Sequence, residues 1–266
     1  MLQYISGKEI ADEQEIVQRA QVQLFEKKGI VPRLAIIQTV SSSVIDTYVR
    51  LKKKYSEQIG VEVVHYNIVP EEVETTITFL NNDPEIHGII VQLPLDPSLN
   101  QDTVLNLVAK NKDVDGLTKD SLFVPPTVQG ILWLLEKHVT NLMHKKIALV
   151  GRGRLVGAPL ERELLKRDIT ARVFTKEDSL GDLYNFEVII SATGVPSLLT
   201  NIHIQSGAYV LDAGTAEENG AIHGDAADEL YNRDDISITP TKGGVGILTV
   251  RALFENTLLA CEKNIL

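Results

Sequence analysis

Ile147-Ala-Leu-Val150 runs directly into Gly151-Arg-Gly-Arg-Leu-Val-Gly157, and the reading of this stretch decides the fold. A short apolar run that stops at a glycine reads as a buried strand. The residues beyond it, to about Arg167, read as a helix. Glycines 151, 153 and 157 let the chain turn sharply and let backbone N–H groups approach a pyrophosphate, to which the helix N-terminus adds partial positive charge. The spacing is GxGxxxG and not the commoner GxGxxG. At this point a glycine-rich turn without a ligand stays open.

Downstream, Ala171–Phe174, 188–191, 209–212 and 236–239 read as further strands, and 246–262 as a long amphipathic helix. The strand at 171–174 ends in Thr175-Lys176, where a NAD-specific site usually carries an acidic residue for the ribose hydroxyls. A hydroxyl and a cation, with Arg152 as a second cation, suit a 2′-phosphate, so NADP is expected over NAD. Solvated surface charge is the other reading of Lys176 and Arg152, and Glu177 stands close by.

Upstream the pattern also alternates. Ile16, Val17, Ala20 and Leu24 recur at helical spacing with Gly29 as a cap. Strands are expected at 34–37, 61–68 and 88–93, and helices at 47–58, 71–81 and 103–109. Pro125-Pro126 breaks the chain, with Thr127 as N-cap of a helix to about His138. Strands alternating with helices imply parallel sheets. Two such series predict an α/β protein of two lobes, split near residue 123.

The chain has 266 residues with a formal net charge of −10, which argues against a broad nucleic-acid surface. No run approaches the ~18 apolar residues of a membrane span. Cys261 stands alone, which favours a reducing cytoplasm. The histidines show no metal-ligand spacing, so no metal is expected.

Tyr48 and Lys52 are four apart and share a helix face. A partly buried lysine has a lowered pKa and serves acid–base chemistry, although Lys52-Lys-Lys54 also reads as a solvated face. Gln92 ends a buried strand, where α/β sites form, or is a satisfied structural glutamine. Asp113 and Asp115 mark a turn, or one of them holds a polar heterocycle. Gly243-Gly244-Val-Gly246 caps the last helix and offers N–H groups, or is a hinge.

These segments together resemble one family. Ser6-Gly-Lys-Glu-Ile-Ala11, Tyr48-Val-Arg-Leu-Lys52 (YVxxK), Gly88-Ile-Ile-Val-Gln-Leu-Pro-Leu95 (GILVQLPLP), Lys112-Asp-Val-Asp-Gly116 (KDVDG), Pro125-Pro-Thr-Val-Gln-Gly130 (PCTPxG), Val150–Pro159 (VGRSxxVGxP), Gly194-Val-Pro196, Leu211-Asp-Ala-Gly214 and Thr239–Gly246 (TPVPGGVG) follow the order of bifunctional methylenetetrahydrofolate dehydrogenase/methenyltetrahydrofolate cyclohydrolases. The resemblance implies a catalytic α/β domain (1–122 and 246–266), a Rossmann-type NAD(P)-binding domain (123–245) and a cleft between them. It implies NADP-dependent oxidation of methylene-tetrahydrofolate, hydrolysis of the methenyl product to formyl-tetrahydrofolate, a cytoplasmic homodimer, and a place in one-carbon metabolism and purine biosynthesis.

It also assigns roles. Lys52 assists water attack, Tyr48 stacks on the folate rings, Gln92 tunes Lys52, and Asp115 anchors the pterin. Val91, Leu93, Gly243 and Gly244 join Tyr48, Gln92 and Asp115 around the folate. Gly151, Arg152, Gly153, Val156, Gly157, Thr175, Lys176, Thr193, Gly194 and Thr215 hold the dinucleotide. The chain departs from the family pattern at Val40-Ser41 (Gly-Asp), Ile45 (Ser), Leu117 (Phe), Gly153 (Ser), Lys242 and Ile247 (both Pro). A relative with one activity, or an inactive folate- or dinucleotide-binding protein, is the alternative; the retained Tyr48, Lys52, Gln92 and Asp115 speak against the latter. VQLPL and KDVDG speak against a shikimate-dehydrogenase-like enzyme.

Overall fold

A computed structural model describes residues 3–218 and 221–265. In chain order the elements are β1 (Gln3–Tyr4), α1 (Lys8–Glu26), β2 (Arg33–Gln38), α2 (Ser43–Ile59), β3 (Glu62–Asn67), α3 (Val73–Asn82), β4 (Gly88–Val91), α4 (Gln101–Leu105), α5 (Pro126–His138), β5 (Ile147–Val150), α6 (Gly157–Leu165), β6 (Ala171–Phe174), β7 (Val188–Ser191), β8 (Tyr209–Asp212), β9 (Ala216–Glu218), β10 (Ala221–His223), β11 (Ser237–Ile238) and α7 (Val245–Ile265). They form two compact units: 12–126 with 250–266, and 1–11 with 127–249.

The first unit is built on a parallel three-stranded sheet of order β3-β2-β4. All of β4 and all of β2 except Arg33 are buried, as expected of strands covered on both faces. Leu34 and Ile36 pack with Val49, Ile59 and Phe254, while Ala35 and Ile37 pack with Val73, Ile77 and Leu80. The chain leaves β2, the central strand, for α2, and the outer strands lie on either side. This is the switch-point arrangement that leaves a crevice at the carboxyl ends of the strands.

The second unit has a six-stranded sheet of order β1-β11-β8-β7-β5-β6, parallel at every pairing. Its switch point is β5, with β6 on one side and β7 on the other. The glycine turn of 151–157 leaves the carboxyl end of that strand. Ala148, Val150, Phe174, Ile189 and Val210 form its core.

Several expectations shift. Residues 1–11 belong with 127–249 and not with the first unit, because β1 pairs with β11. The later division falls within α7, after Thr249. The α2 helix starts at Ser43, four residues earlier than read, because the Ser42 hydroxyl accepts from the Ile45 N–H. The helix expected at 103–109 stops at Leu105. Beyond it, Asn81 donates to the Leu107 carbonyl at 2.8 Å and accepts from the Ala109 N–H at 2.9 Å, so a side chain takes over the backbone bonds. Thr127 lies inside α5 instead of capping it. Pro126 starts that helix, where its missing N–H costs no bond. The antiparallel pairing of β9 with β10 was not anticipated.

Candidate active site

The α2 helix is bounded by Ser42 at its N-terminus and by Gly60, at φ +85°, past its C-terminus. Ile45, Val49, Ser56 and Ile59 bury one side. Tyr48 and Lys52, one turn apart, are both partly buried. The Lys52 Nζ donates to the Gln92 Oε1 at 2.9 Å. Gln92 follows β4; its own N–H is held by the Ile37 carbonyl at 2.8 Å, and its Nε2 donates to the Leu93 carbonyl at 2.9 Å. That second bond sets which end of the amide meets the lysine. Val91 is buried below it and Leu93 partly buried beside it.

The KDVDG segment runs alongside β4. Ile89 bridges to Asp113 in parallel register, with the Ile89 N–H on the Lys112 carbonyl at 2.7 Å. The three charged residues then separate by task. Lys112, buried, donates to the Leu80 and Asp83 carbonyls at 2.9 and 2.6 Å, closing the C-terminal end of α3. Asp113, also buried, accepts from the Leu117 and Thr118 N–H groups at 3.3 and 2.8 Å, so it is the turn residue. Asp115 is left to face Lys52. Burial pushes the Asp115 carboxyl up, and the Lys52 charge opposes that shift. Burial pulls the Lys52 ammonium down, opposed by Asp115. Burial likewise raises the Tyr48 phenol. A lysine held below its ordinary range, beside a carboxyl, an amide and a phenol, is equipped to exchange protons.

In the second unit, two glycines of the turn are fixed by the backbone itself. Gly151 has φ +93°, and a Cβ there would lie 2.9 Å from the Ala192 carbonyl oxygen. A Cβ on Gly157 would collide with the Gly151 carbonyl oxygen. Gly153 differs: a Cβ would meet nothing within 4 Å, so the space beside it is open. Val156, at the N-cap of α6, makes no side-chain cap bond. A tight turn, an open approach and a helix start without a side-chain cap fit a dinucleotide pyrophosphate.

Three of the other residues expected to hold the dinucleotide, Arg152, Thr175 and Thr193, are already engaged. Arg152 pairs with Glu161 at 2.8 Å. The Thr175 N–H and hydroxyl both donate to Asp178 Oδ2, at 2.8 and 3.0 Å. Lys176 is exposed and has no ion-pair partner among the described residues. The Thr193 N–H and hydroxyl both donate to Asp225 Oδ2, at 2.8 and 2.9 Å. Gly194, at φ +67°, packs against the carbonyl of Thr215, which is itself exposed. Gly243 and Gly244 belong to this second unit, where the Gly243 carbonyl accepts from the Gly7 N–H at 2.8 Å and the Gly244 carbonyl stands against Gly7.

Asp212 and Asp225 escaped the sequence reading. Asp225, fully buried, gathers the Ser191 hydroxyl at 2.5 Å, Thr193 and the Val195 N–H at 3.0 Å. Asp212 accepts from the N–H groups of Gly214, Asp225 and Ala226 at 2.9–3.0 Å. Together they shape the loops after β7 and β8. A signal exists in Gly214 and Gly224: a Cβ on either would strike one of these carboxylates.

With this geometry in place, comparison with known proteins is decisive. Residues 5–115 match the family model of the tetrahydrofolate dehydrogenase/cyclohydrolase catalytic domain, and residues 125–265 that of the NAD(P)-binding domain. The chain belongs to the tetrahydrofolate dehydrogenase/cyclohydrolase family. A curated relative, the bifunctional protein FolD of Staphylococcus aureus, is 34% identical over 96% of this chain and 95% of its own length. The crystal structure of the bifunctional FolD methylenetetrahydrofolate dehydrogenase/cyclohydrolase of Campylobacter jejuni superposes with a TM-score of 0.90 at 31% identity, covering 99% of both chains. The Trypanosoma brucei methylenetetrahydrofolate dehydrogenase-cyclohydrolase, solved with NADP cofactor and an inhibitor, gives 0.90 at 28% identity over 99% of this chain and 98% of its own. Family membership thus extends along both units.

Proposed function

We propose that this member of the family oxidises methylene-tetrahydrofolate to the methenyl form with NADP and hydrolyses that product to formyl-tetrahydrofolate. The observation that carries the reading is the Lys52–Gln92 hydrogen bond of 2.9 Å with Asp115 beside it. When bound, the nicotinamide supplies a hydride acceptor. The chain's part in that step is placement, which by itself accelerates a transfer between oriented carbons. Gly151, Gly157 and the start of α6 hold the pyrophosphate, and Lys176 holds the 2′-phosphate that favours NADP. Tyr48 stacks on the folate rings, while Asp115 accepts hydrogen bonds from the pterin.

In the hydrolytic step the neutral Lys52 amine takes a proton from water as the water oxygen bonds to the methenyl carbon. The Lys52 ammonium returns its proton to one bridge nitrogen as that C–N bond breaks, the carbinol hydroxyl releases its proton to water, and the formyl group is left on the other nitrogen. Gln92 holds the amine in place by accepting from it, and burial, which lowers its pKa, shifts the balance toward the neutral form. A cytoplasmic homodimer that supplies formyl groups to purine biosynthesis is the setting the family resemblance gives this chemistry.

The test is a spectrophotometric assay of the purified protein with methylene-tetrahydrofolate and either NADP or NAD, following reduced cofactor and methenyl product separately. Both activities are expected, with NADP preferred. Lys52→Met is expected to stop methenyl hydrolysis while NADP still binds. Hydrolysis at the parental rate in that variant would remove Lys52 from its role.

A further inference from the structure

Lys52 is the first of three consecutive lysines, and an α-helix turns by about 100° per residue, so one of the three at most can face Gln92. The rotation of α2 about its own axis therefore matters as much as its position. A second buried amide bears on it. Gln38, the last residue of β2, is 1% exposed although fully polar. Parallel register pairs Ile37 with Val91, which sets Gln38 level with Gln92 at the same end of the sheet. The Gln38 Nε2 donates to Asp46 Oδ1 at 2.9 Å, to the Val40 carbonyl at 3.0 Å and to the Ser41 hydroxyl at 3.1 Å. The Gln38 Oε1 meets His65 Nε2, on β3, at 2.8 Å. On the other side of the ring, His65 Nδ1 meets the Lys53 Nζ at 3.2 Å.

A neutral imidazole with its proton on Nε2 satisfies both contacts: it donates to Gln38 and accepts from Lys53. Burial and the Lys53 charge both depress the His65 pKa, which keeps the ring in that form; Asp46 opposes them. Asp46 and Lys53 are seven residues apart, close to two full turns, so they lie on one stripe of α2. Gln38 holds the first directly and the second through His65. Two anchors on one stripe resist rolling of the helix, and Lys52 is set one residue, about 100°, away from the second anchor.

We propose that Gln38 and His65 are positioning residues for Lys52: by holding Asp46 and Lys53 they fix the roll of α2 that directs Lys52, and neither neighbouring lysine, at Gln92 and Asp115. The inference rests on the role given to Lys52 above and assigns neither residue a contact with substrate. The chain departs from the family pattern at the start of α2. Val40 and Ser41, which stand in place of Gly-Asp, are both acceptors for the Gln38 amide. The rest of the network runs through Asp46, next to Ile45.

Steady-state hydrolysis of methenyl-tetrahydrofolate by Gln38→Leu, His65→Leu and His65→Gln, with Lys52→Met as reference, tests this. Each leucine variant is expected to lose about tenfold in kcat with KM within about twofold, since a misdirected group lowers turnover and not uniform binding. The glutamine at 65 can donate to Gln38 and accept from Lys53, so it is expected to stay within about threefold of the parent. Parental kcat in both leucine variants, a loss confined to KM, or equal losses in His65→Gln and His65→Leu would each overturn the proposal. If Gln38→Leu does not fold, the two substitutions at His65 decide alone. Full hydrolysis by Lys52→Met overturns the reading of Lys52 and this inference with it. An inactive Lys52→Met beside an unimpaired Gln38→Leu and His65→Leu overturns the inference alone.

Discussion

At Lys52 two effects of opposite sign meet: burial disfavours the ammonium, and Asp115 favours it. Burial is the larger, so the amine lies below the usual lysine range. The balance is adjustable at Gln92, whose Oε1 receives the Lys52 proton donor. Gln92→Glu replaces a neutral acceptor with a carboxylate at the same place. A nearby negative charge favours the protonated amine, so the Lys52 pKa rises. Hydrolysis that depends on the neutral amine then climbs at higher pH than in the parent, and at neutral pH it falls. A pH–rate profile of methenyl hydrolysis for the two proteins checks this. A rising limb that stays in place, or moves to lower pH, removes the neutral amine from the step. The pairing of Tyr48 with Lys52 was legible, because four residues always bring two side chains to one helix face. The choice of Lys52 over a solvated run, and its partner Gln92, came from the family resemblance alone, and the nearness of Asp115 to Lys52 was not read, because those contacts come from distant segments whose register no local pattern specifies.

Elements show the same divide. The strand ending at Gln92 and the Asp-Gly turn were both visible in sequence. Within Lys112-Asp-Val-Asp-Gly116, however, a turn carboxylate and a ligand carboxylate look alike until the segment is laid beside β4. Only then does Asp113 take the Leu117 and Thr118 N–H groups and leave Asp115 beside Lys52. Lys112 was not singled out, although it is the most consequential polar group of the segment for stability. Its ammonium serves two carbonyls at the end of α3, Leu80 and Asp83. Lys112→Met keeps the aliphatic stem and removes the donor, which strands the buried Leu80 carbonyl and the partly buried Asp83 carbonyl. Each such loss costs about 1–3 kcal/mol, so about 2–6 kcal/mol is expected for the pair. Urea denaturation checks it: the midpoint should fall with the slope unchanged. A midpoint equal to the parent's would mean that water or another donor serves those carbonyls. Burial holds the Lys112 pKa down, opposed by the Asp83 charge, as burial does for Lys52 against Asp115. A shifted lysine in this unit is therefore a sign of enclosure, and its partners decide between a structural and a chemical role.

Over the whole molecule, the alternation of apolar runs with helical stretches was enough to read two α/β units with parallel sheets. Each unit has its own buried core: Leu34, Ile36, Ile89 and Phe254 are among the buried residues of the first, and Val150, Ile189 and Val210 of the second. The unit boundaries were harder, since they fall inside α1 and α7, and a helix carries no local mark where its packing partners change. The two-residue strand β1 was illegible for a related reason: it is defined by pairing with β11, more than two hundred residues away. Separate cores give a way to test the dinucleotide turn without measuring turnover. A ligand that binds only the folded protein stabilises it by RT ln(1 + [L]/Kd), about 2.7 kcal/mol at a hundredfold excess over Kd. NADP is therefore expected to raise the thermal midpoint of the parent protein and of Lys52→Met equally, because Lys52 lies in the other unit. NAD at the same concentration is expected to raise it less. Gly151→Ala introduces a Cβ at φ +93° and 2.9 Å from the Ala192 carbonyl oxygen, so the turn must shift. That variant is expected to lose the NADP-dependent rise, while methenyl hydrolysis, which depends on the first unit, continues. An undiminished rise in Gly151→Ala would place the dinucleotide elsewhere, and a rise lost in Lys52→Met would tie its binding to the hydrolytic lysine.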